Sequence, residues 1–289
     1  MAGEATARLM EDGRRLHLQH GPIDIVAEAF GAADEIEAAY NQGWAAFQSI
    51  LGTLVQDLGI LRRPVMIDEE PVLNGISADM WLSARPFADR QFVTPMAAVA
   101  GAVADHVKAA MIDGRSLTKL YVNNGGDISL HLKANAVFSG AIVENQDMPA
   151  LDNIFEIRSK DDIGGVATSG WRGRSLSPGM ADAVTVLAKT AAIADVAATL
   201  IAGAVVVKSA AVTQEKAIDL RDDTDLGDML VTTAVGTLTA AEKHEALEKG
   251  FQLARSFEQE GWIKSAYMAL QGEAKSLAPE KEQLGRKTA

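Results

Sequence analysis

Three short segments carry residue types that could do chemistry. Asn124, Gly125, Gly126 and Asp127 lie between two strand-like runs, 119–122 and 128–132. Glycines there allow positive φ, and consecutive backbone N–H groups can form a nest that holds phosphate oxygens. The same residues also read as a hairpin turn, for which Asn-Gly is a strong signal. Thr168, Ser169 and Gly170 close a glycine-bounded strand, 164–170, and can offer hydroxyl and N–H donors to a phosphate or a ring carbonyl. Asp195 and Thr199 stand four apart on an expected helix, so their side chains face the same way. A carboxylate and a hydroxyl one turn apart can give two oxygens to Mg²⁺, which keeps waters or phosphates in its other positions. Asp195 also suits an early helical turn, where the dipole favours an acid. An aspartate inside the otherwise apolar run 192–201 is nevertheless out of place, so the ligand reading stands level with the helix-dipole one.

The remaining polar groups offer less. His17 and His20 fall in an expected hairpin, His131 on a strand, and His106 and His244 on helices, without metal-ligand spacing. Asp222, Asp223, Asp225 and Asp228 lack the spacing and closing glutamate of a calcium loop and read as a solvated segment. Ser169 has no histidine near it in sequence to activate it as a nucleophile.

The elements that must position these groups follow from periodicity. Leu16, Leu18, Ile23 and Ile25 sit on either side of His20, Gly21 and Pro22, predicting a hairpin over 14–29. Ile36, Tyr40, Phe47, Leu51, Leu54, Val55 and Leu58 follow three/four spacing, so 34–58 is a long amphipathic helix stopped at Gly59. The run 62–93 holds Pro64, Pro71 and Pro86, with Pro95 just beyond, and is expected to be an irregular connection that covers a site. Thr94 is then an N-cap and Pro95 a first helical residue for an alanine-rich helix through 112, with Gly101 inside it. Further strands are expected at 136–143, 154–158 and 183–187, a loop at 171–180 and a helix at 192–206. The stretch 215–238 is mixed and acidic, 240–270 reads as helical, and the last fifteen or so residues as frayed. The sum is an α+β protein with mixed or antiparallel sheets packed with long helices, organised as one domain over 1–289.

At 289 residues, 48% hydrophobic and 23% charged, the chain can bury a substantial core. Aromatics are only 5%, so small side chains must dominate the helix and sheet contacts. A net charge of −12 argues against nucleic-acid partners and against docking on an anionic membrane, while leaving room for a small anionic ligand held by local dipoles or a metal. The absence of cysteine excludes disulfides, iron–sulfur ligation and a thiol nucleophile. No apolar h-region is visible in 1–21, and the apolar run 191–207 is interrupted by Asp195, so the expected location is the cytoplasm.

Four segments, in this order, resemble the ApbE superfamily of flavin transferases, which move FMN from FAD onto a threonine of a target protein. Ala97-Ala98-Val99-Ala100-Gly101-Ala102-Val103-Ala104-Asp105 resembles the family helix G-I-A-K-G-Y-A-V-D. Val122-Asn123-Asn124-Gly125-Gly126-Asp127-Ile128 resembles its V-N-x-G-G-D-I turn, and Val166-Ala167-Thr168-Ser169-Gly170 its A-T-S-G strand end. Val184-Thr185-Val186, followed by Ala194-Asp195-Val196-Ala197-Ala198-Thr199, resembles its V-S-V strand and A-D-A-L-A-T helix. The segment 94–105 and the tail with Ala246, Leu247, Glu248, Gly261, Ala266, Leu270, Gln271 and Gly272 are similar to an uncharacterised cytoplasmic branch of the superfamily.

The resemblance implies Mg²⁺ at Asp195 and Thr199. It implies a pocket for FAD or FMN lined by Asn124, Gly125, Gly126, Asp127, Thr168, Ser169 and Gly170, with Asp127 and Ser169 as candidate catalytic residues. The partners it implies are a nucleotide ligand and a protein acceptor. It also implies either FMN transfer or cleavage of the FAD pyrophosphate, which differ in whether a threonine or a water attacks. The alternative is an accessory protein that keeps the pocket without the chemistry. Ala100 stands where the family has lysine, and residues 175–179 stand where it has H-x-I-D-P-x-T-G. No M-G-T opening or lipoprotein signal is present.

Overall fold

Strict alternation of buried and less buried residues from Ile23 onward makes this segment a half-buried strand. In a computed structural model, which describes residues 3–142 and 153–277, it is the third strand of an antiparallel ladder. β1 (Thr6–Leu9) pairs with β2 (Leu16–His20), and β2 turns through Gly21, at φ +55°, into β3 (Ile23–Phe30). The hairpin expected over 14–29 is therefore present, with Leu18, Ile25 and Ala27 fully buried.

One long helix packs on this ladder, and a shorter one packs against that helix. α1 (Ala33–Leu61) buries Ala39, Gly43, Phe47, Ile50, Leu54 and Leu61, the three/four stripe of an amphipathic helix. It runs past Gly59 because glycine weakens a helix without having to end it. The connection expected to be irregular holds α2 (Gly75–Ala84), which buries Ile76, Ser77, Met80, Trp81 and Ala84. Its prolines flank that helix, Pro64 and Pro71 before it and Pro86 after it, so a proline count over the whole window hides ten helical residues.

Pro95 opens a short 3₁₀ turn, Pro95–Ala98, and only then does α3 (Val99–Ile112) begin. Thr94 occupies the N-cap position with extended backbone, but its side chain makes no cap hydrogen bond. α3 packs on α1 and on β4 (Lys119–Asn124) and β5 (Asp127–Leu132). Small residues set that packing: a Cβ on Gly43 would meet Met111 Cγ at 2.7 Å.

β6 (Val137–Ile142) and β7 (Asn153–Arg158) form a separate two-stranded sheet. β8 (Gly165–Ser169) adds to β5, with Ile128 opposite Val166 and Ser129 opposite Gly165. The chain divides into two compact units that alternate along the sequence. The first comprises residues 1–138, 157–167 and 189–196; the second comprises 139–156, 168–188 and 197–289.

In the second unit, β9 (Ala183–Ala188) pairs antiparallel with β12 (Ile263–Leu270), and β12 pairs with β13 (Glu273–Leu277). α4 (Ala191–Ala204) follows β9, as expected. β10 (Val212–Lys216) and β11 (Leu230–Val235) form a ladder beside the one-turn α5 (Ala217–Leu220). α6 (Ala240–Gln259) starts at a capping box of Thr239 and Glu242.

The helix expected to run to 270 ends eleven residues early, and Ile263–Leu270 is a strand instead. Gly261, at φ +79°, donates to Glu258 O at 2.9 Å while Trp262 N donates to Phe257 O at 2.9 Å. This is a Schellman stop with glycine where a left-handed residue is needed. Of the tail expected to be frayed, residues through 277 belong to β13 and the rest lies outside the described residues.

Candidate functional site

α3 starts without a capping side chain of its own, because its N-cap residue is Ala98. Its free N–H groups are met instead by Asp195 from α4: Gly101 N donates to Asp195 Oδ2 at 3.0 Å, and Ala100 N–H also bonds this carboxylate. The arrangement is reciprocated. Asp105 of α3 accepts from Ala192 N at 3.0 Å in the first turn of α4, where Thr190 Oγ1 also accepts from Ile193 N at 3.2 Å. The other oxygen of Asp105 accepts from the fully buried Ser129 hydroxyl and from Lys108 Nζ at 3.2 Å.

Glycines let the two helix starts meet so closely. A Cβ at Gly101 would lie 2.3 Å from Ala191 O, and one at Gly165 would lie 2.2 Å from Ala191 N. Both contacts are with backbone, which cannot swing aside.

The Asn124–Asp127 segment is a two-residue hairpin. Asn124 and Asp127 pair across it, and Gly125 and Gly126 have φ of +66° and +115°, the signs a type I′ turn requires. Gly126 N–H donates to Asn123 Oδ1 at 2.9 Å, so this member of the expected phosphate nest is occupied within the turn. The two glycines are exposed, whereas Asn124 and Asp127 are buried. Asn124 Nδ2 donates to Ala100 O at 3.1 Å, and its Oδ1 is buried without a hydrogen-bond partner.

The Ala100 peptide thus has Asp195 on its N–H and Asn124 on its carbonyl. Burial pushes the Asp195 carboxyl well above the usual carboxylate range, and the negative charge of nearby Asp127 pushes it further. The N–H groups of Gly101 and Ala100 pull the other way. A carboxylate pair of this kind takes up a proton or a cation. Among the described residues, no three His, Asp or Glu side chains gather as a metal-holding group. The donors that do gather are all oxygens, the type Mg²⁺ prefers.

The other expected residues belong to the second unit. Thr168 Oγ1 lies 2.8 Å from Thr185 Oγ1, Thr168 is exposed and Ser169 half-buried. Gly170 is required by crowding, since a Cβ there would lie 2.3 Å from Asp182 O. Asp182 pins the loop that follows: its carboxylate accepts from Gln271 N at 2.6 Å, Trp171 Nε1 at 3.4 Å and Arg172 Nε at 3.5 Å. Thr199 is half-buried and stands one turn beyond Asp195 on α4, as the spacing predicts.

Two positions carry more than sequence reasoning gave them, Asp105 and Asp182. The signal for Asp105 was available. It is a lone acid among alanines and valines on α3, the same anomaly that singled out Asp195 on α4.

These features define an α+β protein with a carboxylate and amide cluster gathered at the start of a helix. The family model described as AbpE bacteria matches residues 7–276, and the chain belongs to that family. A UPF0280 protein of Methanopyrus kandleri is 40% identical over 120 residues, 41% of this chain and 44% of that protein. A UPF0280 protein of Methanobrevibacter smithii is 36% identical over 149 residues, 50% of this chain and 58% of that protein. The chain therefore spans about half the length of the curated relatives it matches. Solved structures similar to it include the apo form of the Pseudomonas stutzeri flavinyl transferase ApbE, with a TM-score of 0.39 and 15% identity, over 97% of this chain and 95% of that one. The flavin transferase ApbE from Vibrio cholerae gives a TM-score of 0.37 and 12% identity, over 97% and 98%. No described helix is long and apolar enough to cross a membrane.

Proposed function

We propose that this protein binds a flavin nucleotide with Mg²⁺ and acts on its pyrophosphate, either by passing FMN to a protein acceptor or by hydrolysing FAD. The observation that carries the reading is the pair of buried Asp127 and half-buried Asp195, the latter bonded to the Ala100–Gly101 backbone, in a chain of the AbpE family. Mg²⁺ supplies positive charge that neutralises the phosphates. Asp195 and Thr199 are the residues assigned to hold it. Asp127 orients the ligand or the water around it, and residues 124–126 and 168–170 contact the nucleotide. Ser169 is assigned to the reacting end of the ligand as a hydroxyl donor, since no histidine stands near it in sequence to make it a nucleophile.

A second reading, a binding protein without turnover, is favoured by Ala100 at the family's lysine position. Incubation of the purified chain with FAD and MgCl₂ separates the two. Release of FMN or AMP supports the enzyme, retention of intact FAD supports the binding protein, and no FAD binding overturns both. For the metal, MgCl₂ at about a hundred times its Kd is expected to stabilise the wild-type protein by about 2.7 kcal/mol. Asp195→Ala is expected to abolish that gain in a thermal melt. An unchanged gain in Asp195→Ala would refute the assignment.

A further inference from the structure

The Asn124 side chain is buried, with 4% of its surface exposed, and only one end of its amide is used. Its orientation is fixed by chemistry. Nδ2 donates to Ala100 O at 3.1 Å, and a flipped amide would set oxygen against oxygen. Oδ1 is therefore left as a buried acceptor with no hydrogen-bond partner among the described residues. A buried amide oxygen in that state is destabilising unless something fills the gap.

Its surroundings say what fills it. Asn124 and Asp127 are opposite each other across the two-residue hairpin, so their side chains share one face of the β4–β5 ladder with Cβ atoms about 5 Å apart. The Ala100 peptide that receives Asn124 Nδ2 on its carbonyl gives its N–H to Asp195. Asn124 of β4 and Asp195 of α4 thus meet at the first turn of α3, and Asp127 of β5 is close enough for its charge to act on Asp195. A ligand that donated an N–H would meet Asn124 Oδ1 but would not offset the repulsion between Asp127 and Asp195. A divalent cation does both.

We propose that Asn124 Oδ1 is a direct ligand of a divalent cation that Asp127 and Asp195 also hold, making a mixed amide and carboxylate site. This rests on the Mg²⁺ reading above and adds to it two oxygens, from Asn124 and Asp127. Hard cations of this class accept amide and carboxylate oxygens together. The Ala100 carbonyl fixes the amide so that its oxygen has no other use.

The test is titration of the full-length chain with MgCl₂ alone by calorimetry, for wild type, Asn124→Ala, Asn124→Leu and Asn124→Asp. Near-UV circular dichroism checks that each variant is folded. The proposal expects Asn124→Ala and Asn124→Leu to weaken Mg²⁺ at least tenfold, and Asn124→Asp, which restores an oxygen, to recover most of that loss. It also expects Asn124→Leu to match or exceed the wild-type melting temperature without metal, because the unmet oxygen is gone. Wild-type affinity in folded Asn124→Ala would overturn this assignment while leaving the Mg²⁺ reading standing. No heat from the wild-type protein would overturn the Mg²⁺ reading itself, and this proposal with it.

Discussion

At the scale of single residues, the start of α4 is held by what is missing from two positions. Gly101 and Gly165 each leave room for the Ala191 backbone, with ideal Cβ positions 2.3 Å from Ala191 O and 2.2 Å from Ala191 N. A methyl group at either site must move a helix terminus, because no side chain is there to give way. Gly101→Ala is expected to cost about 1–3 kcal/mol, the range of an overpacked core, in a urea unfolding experiment. It should also weaken Mg²⁺ binding, since Gly101 N–H holds Asp195. Gly52 and Gly59 are the control. They lie on the exposed face of α1 with nothing within 4 Å of an added Cβ. Alanine at each should stabilise by about 0.5–1 kcal/mol through helix propensity. If Gly101→Ala and Gly59→Ala change stability equally, close backbone approach is not what Gly101 provides.

At the scale of elements, α3 and α4 each supply the aspartate that caps the other. Asp105→Ala strands Ala192 N–H and the fully buried Ser129 hydroxyl, each of which loses its acceptor. Buried donors left unmet cost about 1–3 kcal/mol each, whereas Asp105→Asn keeps one oxygen and should lose less than half as much in urea. Equal losses would place the contribution in the charge facing Lys108 instead. A second element-level prediction concerns β3 and β4, where Glu28 and Tyr121 are opposite partners and Tyr121 Oη donates to Glu28 Oε2 at 3.2 Å. Burial, then the charge of Glu28, pushes the Tyr121 phenol up to about 12. Between its ordinary value of 10.0 and that raised value, the unfolded chain releases a proton that the folded chain keeps. Stability therefore falls as pH rises through this window. Tyr121→Phe cannot titrate and should show a shallower decline in urea midpoints from pH 9.5 to 11.5. Most of these elements were legible in the sequence because their signals are local: alternation at Leu16 and Leu18, three/four spacing around Phe47, and Pro95 at a helix start. What escaped depends on contacts between distant segments or on one short cue. The strand Ile263–Leu270 follows a glycine stop that looks like helix continuation when the alanines around it are counted. For the site, the hairpin and the lone Asp195 stood out as residue types. The trans-capping of α3 by Asp195 joins positions 94 apart, and no spacing rule reports it.

At the scale of the whole molecule, neither compact unit is a continuous stretch of chain. The first unit takes its long N-terminal segment, through 138, together with 157–167 and 189–196. Those two short returns are not peripheral. Val166 and Gly165 pair with Ile128 and Ser129, and Ala192 receives Asp105 while Asp195 caps α3. A fragment of residues 1–138 would therefore keep α1, α3 and five strands but expose the β8 edge of β5, and leave Asp105 and the first turn of α3 without their partners. An unpaired edge and unmet buried polar groups both oppose a stable fold. The fragment is expected to melt without a cooperative transition and to lack the near-UV signal of Trp44 and Trp81, while the full chain shows both. Adding 157–196 as a second chain should restore part of that signal if the returns are what is missing. A fragment of 1–138 that melts sharply, with native tryptophan signals, would mean that the N-terminal segment folds alone and that its later strand and helix turn serve the site more than the fold.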